Sequence, residues 1–235
     1  MCKVGDLKPY YEHAGITIYH GDCLDLLPRL GRFDFVATDA PFGIGDAPRK
    51  IGARRGKARR GSDNVWHDAG TWDKRIEPAW CEAVCLAAPV VAWFGFWRMR
   101  PMVKEAMPHP MRDEIVWSKD MHCGPPQPTA RRDERIWLFA EKPFKPTRFE
   151  TSVWDEPVIP TWSHKHHKNE KPKRLMTRLL AWLPGDNLCD PFMGSGTTLV
   201  AAKELGLKAT GIEINERYCE IAVKRLSQEM LPGVA

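Results

Sequence analysis

Long apolar runs are missing from this chain of 235 residues. No stretch approaches the roughly 18 residues that a membrane-crossing helix needs, so a membrane role is not expected. The N-terminal stretch MCKVGDLKPYYEH is polar and charged, which is unlike a secretory signal peptide. Paired CxxC spacing is missing too: Cys23, Cys81, Cys85, Cys189 and the other cysteines are scattered, several in apolar contexts. That usage reads as reduced thiols in a cytoplasmic protein and argues against a disulfide framework. No internal repeat is visible. The length suits one large domain with a substantial core, and a single domain over residues 1–235 is expected.

The formal charge is only +5, but it is unevenly spread. Arg49, Lys50, Arg54, Arg55, Lys57, Arg59 and Arg60 crowd into RKIGARRGKARR without an acid, and HKHHKNEKPKR follows later. A charge run is often only a solvated face. Two runs flanking a candidate site favour a polyanionic partner. The basic, glycine-rich segment about 46–75 is expected to be a mobile functional loop.

Short β-rich runs alternate with helical patterns, which predicts an α/β sheet. Strands are expected over residues 16–19, 33–38, 89–96, 114–118, 136–140, 187–189 and 208–214. A short helix is expected in GDCLDLLPRL, with longer ones around 79–88 and 216–230. Seven strands fit one doubly wound, mostly parallel sheet with helices on both faces.

Two stretches carry chemistry. In FVATDAPFGIG a buried strand ends on Asp39, and Ala40-Pro41-Phe42 follow at once. In NLCDPFMGSGTTLVAAKELG a strand ends at Asp190 and a turn with Gly194 and Gly196 leads into a helix beginning near Thr197. Glycines let a ligand approach the backbone, and a helix start offers free N–H groups. Glu213, near the end of the next strand, is placed to accept hydrogen bonds from ribose hydroxyls. The third glycine of the dinucleotide fingerprint is absent, Leu199 standing in its place, and there is no Walker lysine. A phosphate-free adenosine with an amino-acid tail, S-adenosylmethionine, suits the turn better than a dinucleotide or ATP.

With DAPF upstream and DPFMGSGTT downstream, the chain resembles the β group of DNA amino-methyltransferases, in which the catalytic tetrapeptide precedes the cofactor loop. The resemblance implies a Rossmann-like, class I S-adenosylmethionine-dependent methyltransferase fold with circularly permuted motif order. It carries the cofactor signature Asp190, Phe192, Gly194, Ser195, Gly196 and Thr197 over intact. Asp22 and Cys23 in GDC match the segment that meets the cofactor's adenine, and Glu213 and Asn215 stand in GIEIN. His167 and Lys171 match the HxxxKP segment just before the cofactor loop, and are grouped here with the cofactor residues. The family's tetrapeptide usually has proline where this chain has Ala40.

In that family the acidic side chain and the next residue's carbonyl, here Asp39 and Ala40, accept hydrogens of an exocyclic amino group and free its lone pair. Such preorganised acceptors act on charge that develops in the transition state. Pro41 fixes its own φ and pushes Ala40 toward extended conformations, so the carbonyl keeps its aim. Phe42 supplies a flat face for a base that has left the duplex. C5-cytosine chemistry, which in its family uses a Pro-Cys dipeptide, is not expected, since no cysteine follows a proline. His164, His166 and His167 lack acid or cysteine ligands at zinc spacing, and sulfonium methyl transfer needs no metal.

The segment about 119–135, with Gln127, Arg131 and Arg132, stands where the family keeps its target recognition. The expected activity is methyl transfer to adenine N6 of double-stranded DNA. Cytosine N4 is the alternative, and an impaired nucleic-acid-binding module or an RNA methylase are further readings. A homodimer is a possible assembly. No nuclease motif is visible, so a restriction partner would be a separate chain, and a solitary or phage-encoded methylase is equally open.

Overall fold

The structure, a computed structural model, describes residues 7–41, 77–120, 132–159 and 170–228. Its strands are β1 (Tyr11–His13), β2 (Ile16–His20), β3 (Phe35–Thr38), β4 (Val90–Gly95), β5 (Met111–Ser118), β6 (Asp133–Ala140), β7 (Val153–Asp155), β8 (Asn187–Asp190) and β9 (Lys208–Glu213). They join in one sheet ordered β1-β2-β9-β8-β3-β4-β6-β5-β7. From β2 through β9, β8 and β3 to β4 every pairing is parallel; β6 reverses direction between β4 and β5.

All seven expected strands are there, and two short edge strands extend the sheet. β1 exists because Ala14 and Gly15, with φ of 50° and 81°, fold the chain back on β2 in a two-residue hairpin. β7 adds three residues alongside β5.

Central strands such as FVAT and VVAWFG are buried along their whole length, as expected of parallel strands covered on both faces. Successive residues alternate between two cores. Phe35, Ala37 and Leu188 pack with residues of α4 (Lys173–Trp182), α5 (Thr197–Leu205) and α6 (Glu216–Ser227). Val36 and Cys189 face α1 (Cys23–Leu26), α2 (Pro78–Ala87) and α3 (Arg100–Ala106). Neither α3 nor α4 is expected from the sequence reading above. α4 nevertheless buries Leu175, Met176, Leu179 and Leu180 at helical spacing. α6 is amphipathic, starts on the Asn215 cap and has Lys224 and Arg225 in its last turn, where the helix dipole favours cations.

Although β3 and β8 lie far apart in sequence, they are sheet neighbours, with Phe35 beside Leu188 and Val36 beside Cys189. That adjacency brings the two motifs together.

Candidate active site

Because β2, β9, β8 and β3 are parallel, their carboxyl ends meet at one edge of the sheet, where ligands bind in open α/β folds. Hydrogen bonds tie the ends to one another. Gly21 N–H donates to the Glu213 carbonyl at 3.0 Å, and Met193 N–H donates to that of Ile212 at 3.1 Å. The Thr38 hydroxyl donates to Asp190 at 2.8 Å.

The glycine turn is held from two sides. Gly194 and Gly196 have φ of 51° and 81°, a region costly for most side chains. A Cβ on Gly196 would come within 2.7 Å of the Ala222 Cβ, so this glycine also lets α6 pack against the turn; a Cβ on Gly194 would meet nothing within 4 Å. Arg225 reaches across from α6 to the Ser195 carbonyl at 2.8 Å and the Thr197 hydroxyl at 3.1 Å, while pairing with Glu170 at 2.8 Å. Glu213 accepts from Gly194 N–H and Asn215 N–H, both at 2.9 Å. Burial lifts its carboxyl above the ordinary range, against those two donors. A carboxylate has about four acceptor positions, so Glu213 retains capacity for hydroxyls. Asp22 caps α1 by accepting from Leu24 N–H at 2.9 Å, and Asn215 caps α6 by accepting from Arg217 N–H at 3.0 Å. Phe192 lies edge-on to Trp80, with ring centroids 5.1 Å apart.

Three residues grouped with the cofactor site have a different setting in the fold. Asp190 is buried, and its acceptors are taken by Thr38, by Phe192 N–H at 3.2 Å and by the Thr198 hydroxyl at 2.6 Å. Burial lifts its carboxyl to about 6 despite these donors. It braces the turn from behind. The Cys23 side chain is buried in the core, and desolvation, with Asp22 beside it, pushes the thiol up to about 12. Lys171 does not stand at the glycine turn: its ammonium lies 2.5 Å from Asp39 Oδ2.

Asp39 sits just past the end of β3. Lys171 occupies Oδ2, whereas Oδ1 is shielded from solvent and has no hydrogen-bond partner among the described residues. Burial, reinforced by Glu134, lifts the Asp39 carboxyl above its ordinary range even though Lys171 pulls it down. Lys171 itself is raised, because Asp39 and Glu134 outweigh the cost of burying its charge. Ala40 is buried in the core on the α2 face, and Pro41 is half-buried.

Phe42, His167, Arg49, Lys50, Arg54, Arg55, Lys57, Arg59, Arg60, Gln127 and Arg131 lie outside the described residues, as do the basic loop and most of the recognition segment. Arg132 is exposed and donates to the Lys119 carbonyl at 3.0 Å. The sequence reading missed Thr38, Lys119, Glu134, Glu170 and Arg225. Of these, Thr38 is the one a local signal could have found, since it adjoins Asp39. Among the described residues no helix is long and apolar enough to cross a membrane.

A sheet with a parallel centre, a glycine turn, an acid on the next strand and an aspartate on the neighbouring strand end fits a Rossmann-like methyltransferase. The comparisons with known proteins narrow this. A family model described as DNA methylase matches residues 33–224, and the chain belongs to that family of DNA amino-methyltransferases. It is 42% identical over 264 residues to the type II methyltransferase M2.DpnII of Streptococcus pneumoniae, covering 94% of this chain and 93% of that one. It is 35% identical over 89 residues to the DNA adenine methyltransferase YhdJ of Escherichia coli, 36% of this chain and 30% of that one. Among solved structures, the PvuII DNA methyltransferase, titled cytosine-N4-specific, superposes with a TM-score of 0.68 at 14% identity, over 96% of this chain and 91% of that one. The chain is a DNA methyltransferase, and its cofactor is S-adenosylmethionine.

Proposed function

We propose that this enzyme transfers a methyl group to the exocyclic N6 of adenine in double-stranded DNA, acting on a flipped base. The observation that carries the reading is the split state of Asp39: Lys171 holds one oxygen, and the other is buried and unpartnered among the described residues. An unsatisfied acceptor at a sheet edge is costly to the fold, which argues for a ligand that completes it.

The cofactor fits the neighbouring edge. Gly194 leaves open space beside its backbone, and Glu213 keeps acceptor capacity for ribose hydroxyls. Asn215, Asp22, Ser195 and Thr197 stand on the elements around it. S-adenosylmethionine supplies a methyl group on a sulfonium, a good electrophile that leaves as a neutral thioether. Asp39 Oδ1 and the Ala40 carbonyl accept the two amino hydrogens and draw the lone pair out of the ring. As the nitrogen gains its methyl group it becomes cationic, and one proton must leave it. In this reading Asp39 Oδ1 takes that proton, which its lack of another partner among the described residues supports. Phe42 stacks on the base, and the basic run from Arg49 to Arg60 contacts phosphates in a way that falls off with salt. We read residues 1–235 as one methyltransferase domain, with target recognition in the segment about 119–135.

Adenine is preferred over cytosine because the tetrapeptide begins with aspartate and because YhdJ carries adenine in its name. Incubation of duplex DNA with methyl-labelled cofactor, followed by nucleoside analysis, tests this. The expected product is N6-methyladenine. Label in N4-methylcytosine would replace the base assignment and leave the mechanism, whereas label in neither would overturn both.

A further inference from the structure

Behind Asp39 stands a cluster assembled from four separate segments. Lys171, just ahead of α4, bridges Asp39 at 2.5 Å and Glu134 Oε2 at 3.5 Å. Glu134, on β6, forms a close ion pair through Oε1 with Lys119, which follows β5. Lys119 is clamped in turn: its N–H donates to the Arg132 carbonyl at 2.6 Å, and Arg132 Nε donates back to the Lys119 carbonyl at 3.0 Å. The two ammonium groups also lie over aromatic faces, Lys119 at 4.4 Å from the Trp117 centroid and Lys171 at 5.4 Å from that of Phe94. Lys119 and Lys171 are almost wholly buried.

Two carboxylates balance two ammonium groups. Buried ion pairs commonly add little stability compared with apolar packing, because desolvating both charges offsets their attraction. A four-charge chain that ends on the reacting carboxylate therefore needs a reason beyond stability.

We infer that Glu134 is a positioning residue for methyl transfer: backed by Lys119, it anchors the Lys171 ammonium on Asp39 Oδ2 and so reserves Oδ1 for the substrate's amino group. This rests on the reading of Asp39 as the acceptor of that group. Without Glu134, the Lys171 ammonium loses one of the two carboxylates that hold it among the described residues, and Asp39 draws it more strongly toward both of its oxygens. Lys119 completes the chain because Glu134 would otherwise add an uncompensated negative charge beside Asp39.

Among the described residues, the other charges that face this chain are few. Asp190 acts on Asp39 from β8. On β6 itself Asp133 and Arg135 pair at 2.8 Å, and Arg135 also meets Glu114 of β5 at 3.0 Å. Burial opposes ionisation of Glu134, but Lys171 and Lys119 outweigh it and hold its carboxyl below the ordinary range.

The signs follow from the charges. In Glu134→Gln one negative charge leaves. The Asp39 carboxyl then feels a net positive cluster and drops, and Lys171 loses one of two anions and drops as well. Both limbs of the pH–kcat profile should move to lower pH, by roughly half to one unit, with kcat about tenfold lower as Asp39 loses its aim. Lys119→Met removes a positive charge and should move both limbs to higher pH. Glu134→Asp restores the charge and should return the limbs to their wild-type positions. Cofactor affinity and the KM for DNA should change by less than about twofold in all three, since none stands at the glycine turn.

Opposite displacement of the limbs is the signature, because a purely structural loss would lower activity without moving them in opposite directions. Wild-type limbs in both folded Glu134→Gln and Lys119→Met would overturn the inference. If Glu134→Gln does not fold, Lys119→Met and Glu134→Asp decide it. Asp39→Ala, which removes the acceptor altogether, separates the two readings: full activity there removes Asp39 as acceptor, whereas a dead Asp39→Ala with unmoved limbs in the other variants removes Glu134 alone.

Discussion

Asp39 and Asp190 finish neighbouring parallel strands, and the chain continues similarly from each, as DAPF in one case and DPFM in the other. Their bonding differs. Asp190 spends its acceptors on Thr38, Phe192 and Thr198. Asp39 gives one oxygen to Lys171 and leaves the other without a partner among the described residues. The same residue type at the same edge thus braces the turn at one strand end, and at the next it keeps an oxygen for the role we propose for it as reagent. What separates them is the count of donors that the fold aims at each carboxylate.

The largest expected effect breaks the comparison on the reactive side. Asp39→Ala should lower kcat by on the order of 10²–10³-fold, the scale on which a preorganised polar group acts on a transition state. Its cofactor affinity, read by calorimetry, should stay within about twofold of wild type. Parallel loss of cofactor affinity would show that Asp39 also supports the glycine turn.

On the bracing side, Asp190→Ala should act on stability. It strands two hydroxyls and one N–H, so at pH 5 the unfolding free energy in denaturant titration should fall by about 3 kcal/mol. Burial raises this carboxyl to about 6, above its unfolded value near 4. The folded chain therefore holds the proton more tightly. The stabilisation is complete below about pH 4 and is lost as pH rises through about 6, because only the folded state must ionise a buried group. The cost of Asp190→Ala should accordingly narrow across that window, by about 1–3 kcal/mol. A cost that widens with pH would mean that the three donors outweigh burial.

Contiguous motifs are what the sequence made legible. A carboxylate at a strand end, a GSGTT turn and an acid on the following strand need only a few adjacent letters, and the fold placed Asp39, the turn and Glu213 at one edge. The circuit behind them was not legible. Glu134, Lys119, Glu170 and Arg225 take part through pairs formed across the sheet or between α6 and the turn, and nothing in RRDER or KRLS marks one charge as buried and another as solvated. Lys171 was visible as a motif residue, but its pairing with Asp39 and Glu134 was not, since both partners are far from it in sequence. α4 was overlooked because the basic run before it hid the start of a clear apolar stripe.

A smaller effect sharpens the division between turn and reagent. Glu213 takes two backbone N–H groups and keeps acceptor capacity, so Glu213→Ala should weaken cofactor binding about tenfold, the value of one or two hydrogen bonds. Single-turnover kcat at saturating cofactor should change little. Unchanged affinity would leave Glu213 a brace like Asp190.

The smallest effect concerns the letter by which the two strand ends differ most. Asp190 is followed directly by Pro191, whereas Asp39 is followed by Ala40 and only then by Pro41. Ala40→Pro places a proline directly after the carboxylate here as well. The substituted residue keeps its carbonyl, and Pro41 already pushes position 40 toward extended conformations, so the acceptor keeps its direction. Two terms oppose each other. A second ring removes freedom from the unfolded chain, worth about 0.4–1 kcal/mol when the native backbone tolerates it. Against this, the Ala40 side chain is only 2% exposed, so added ring atoms must find room in a packed core, and overpacking costs about 1–3 kcal/mol where they do not. Since position 40 adjoins the open edge of the sheet, we expect the terms nearly to cancel, with kcat within about threefold of wild type and an unfolding free energy within about 1 kcal/mol. A large loss of kcat in a folded Ala40→Pro enzyme would show that the backbone at position 40 must move during turnover, which would separate the reactive strand end from the rigid one more sharply than the hydrogen bonds do.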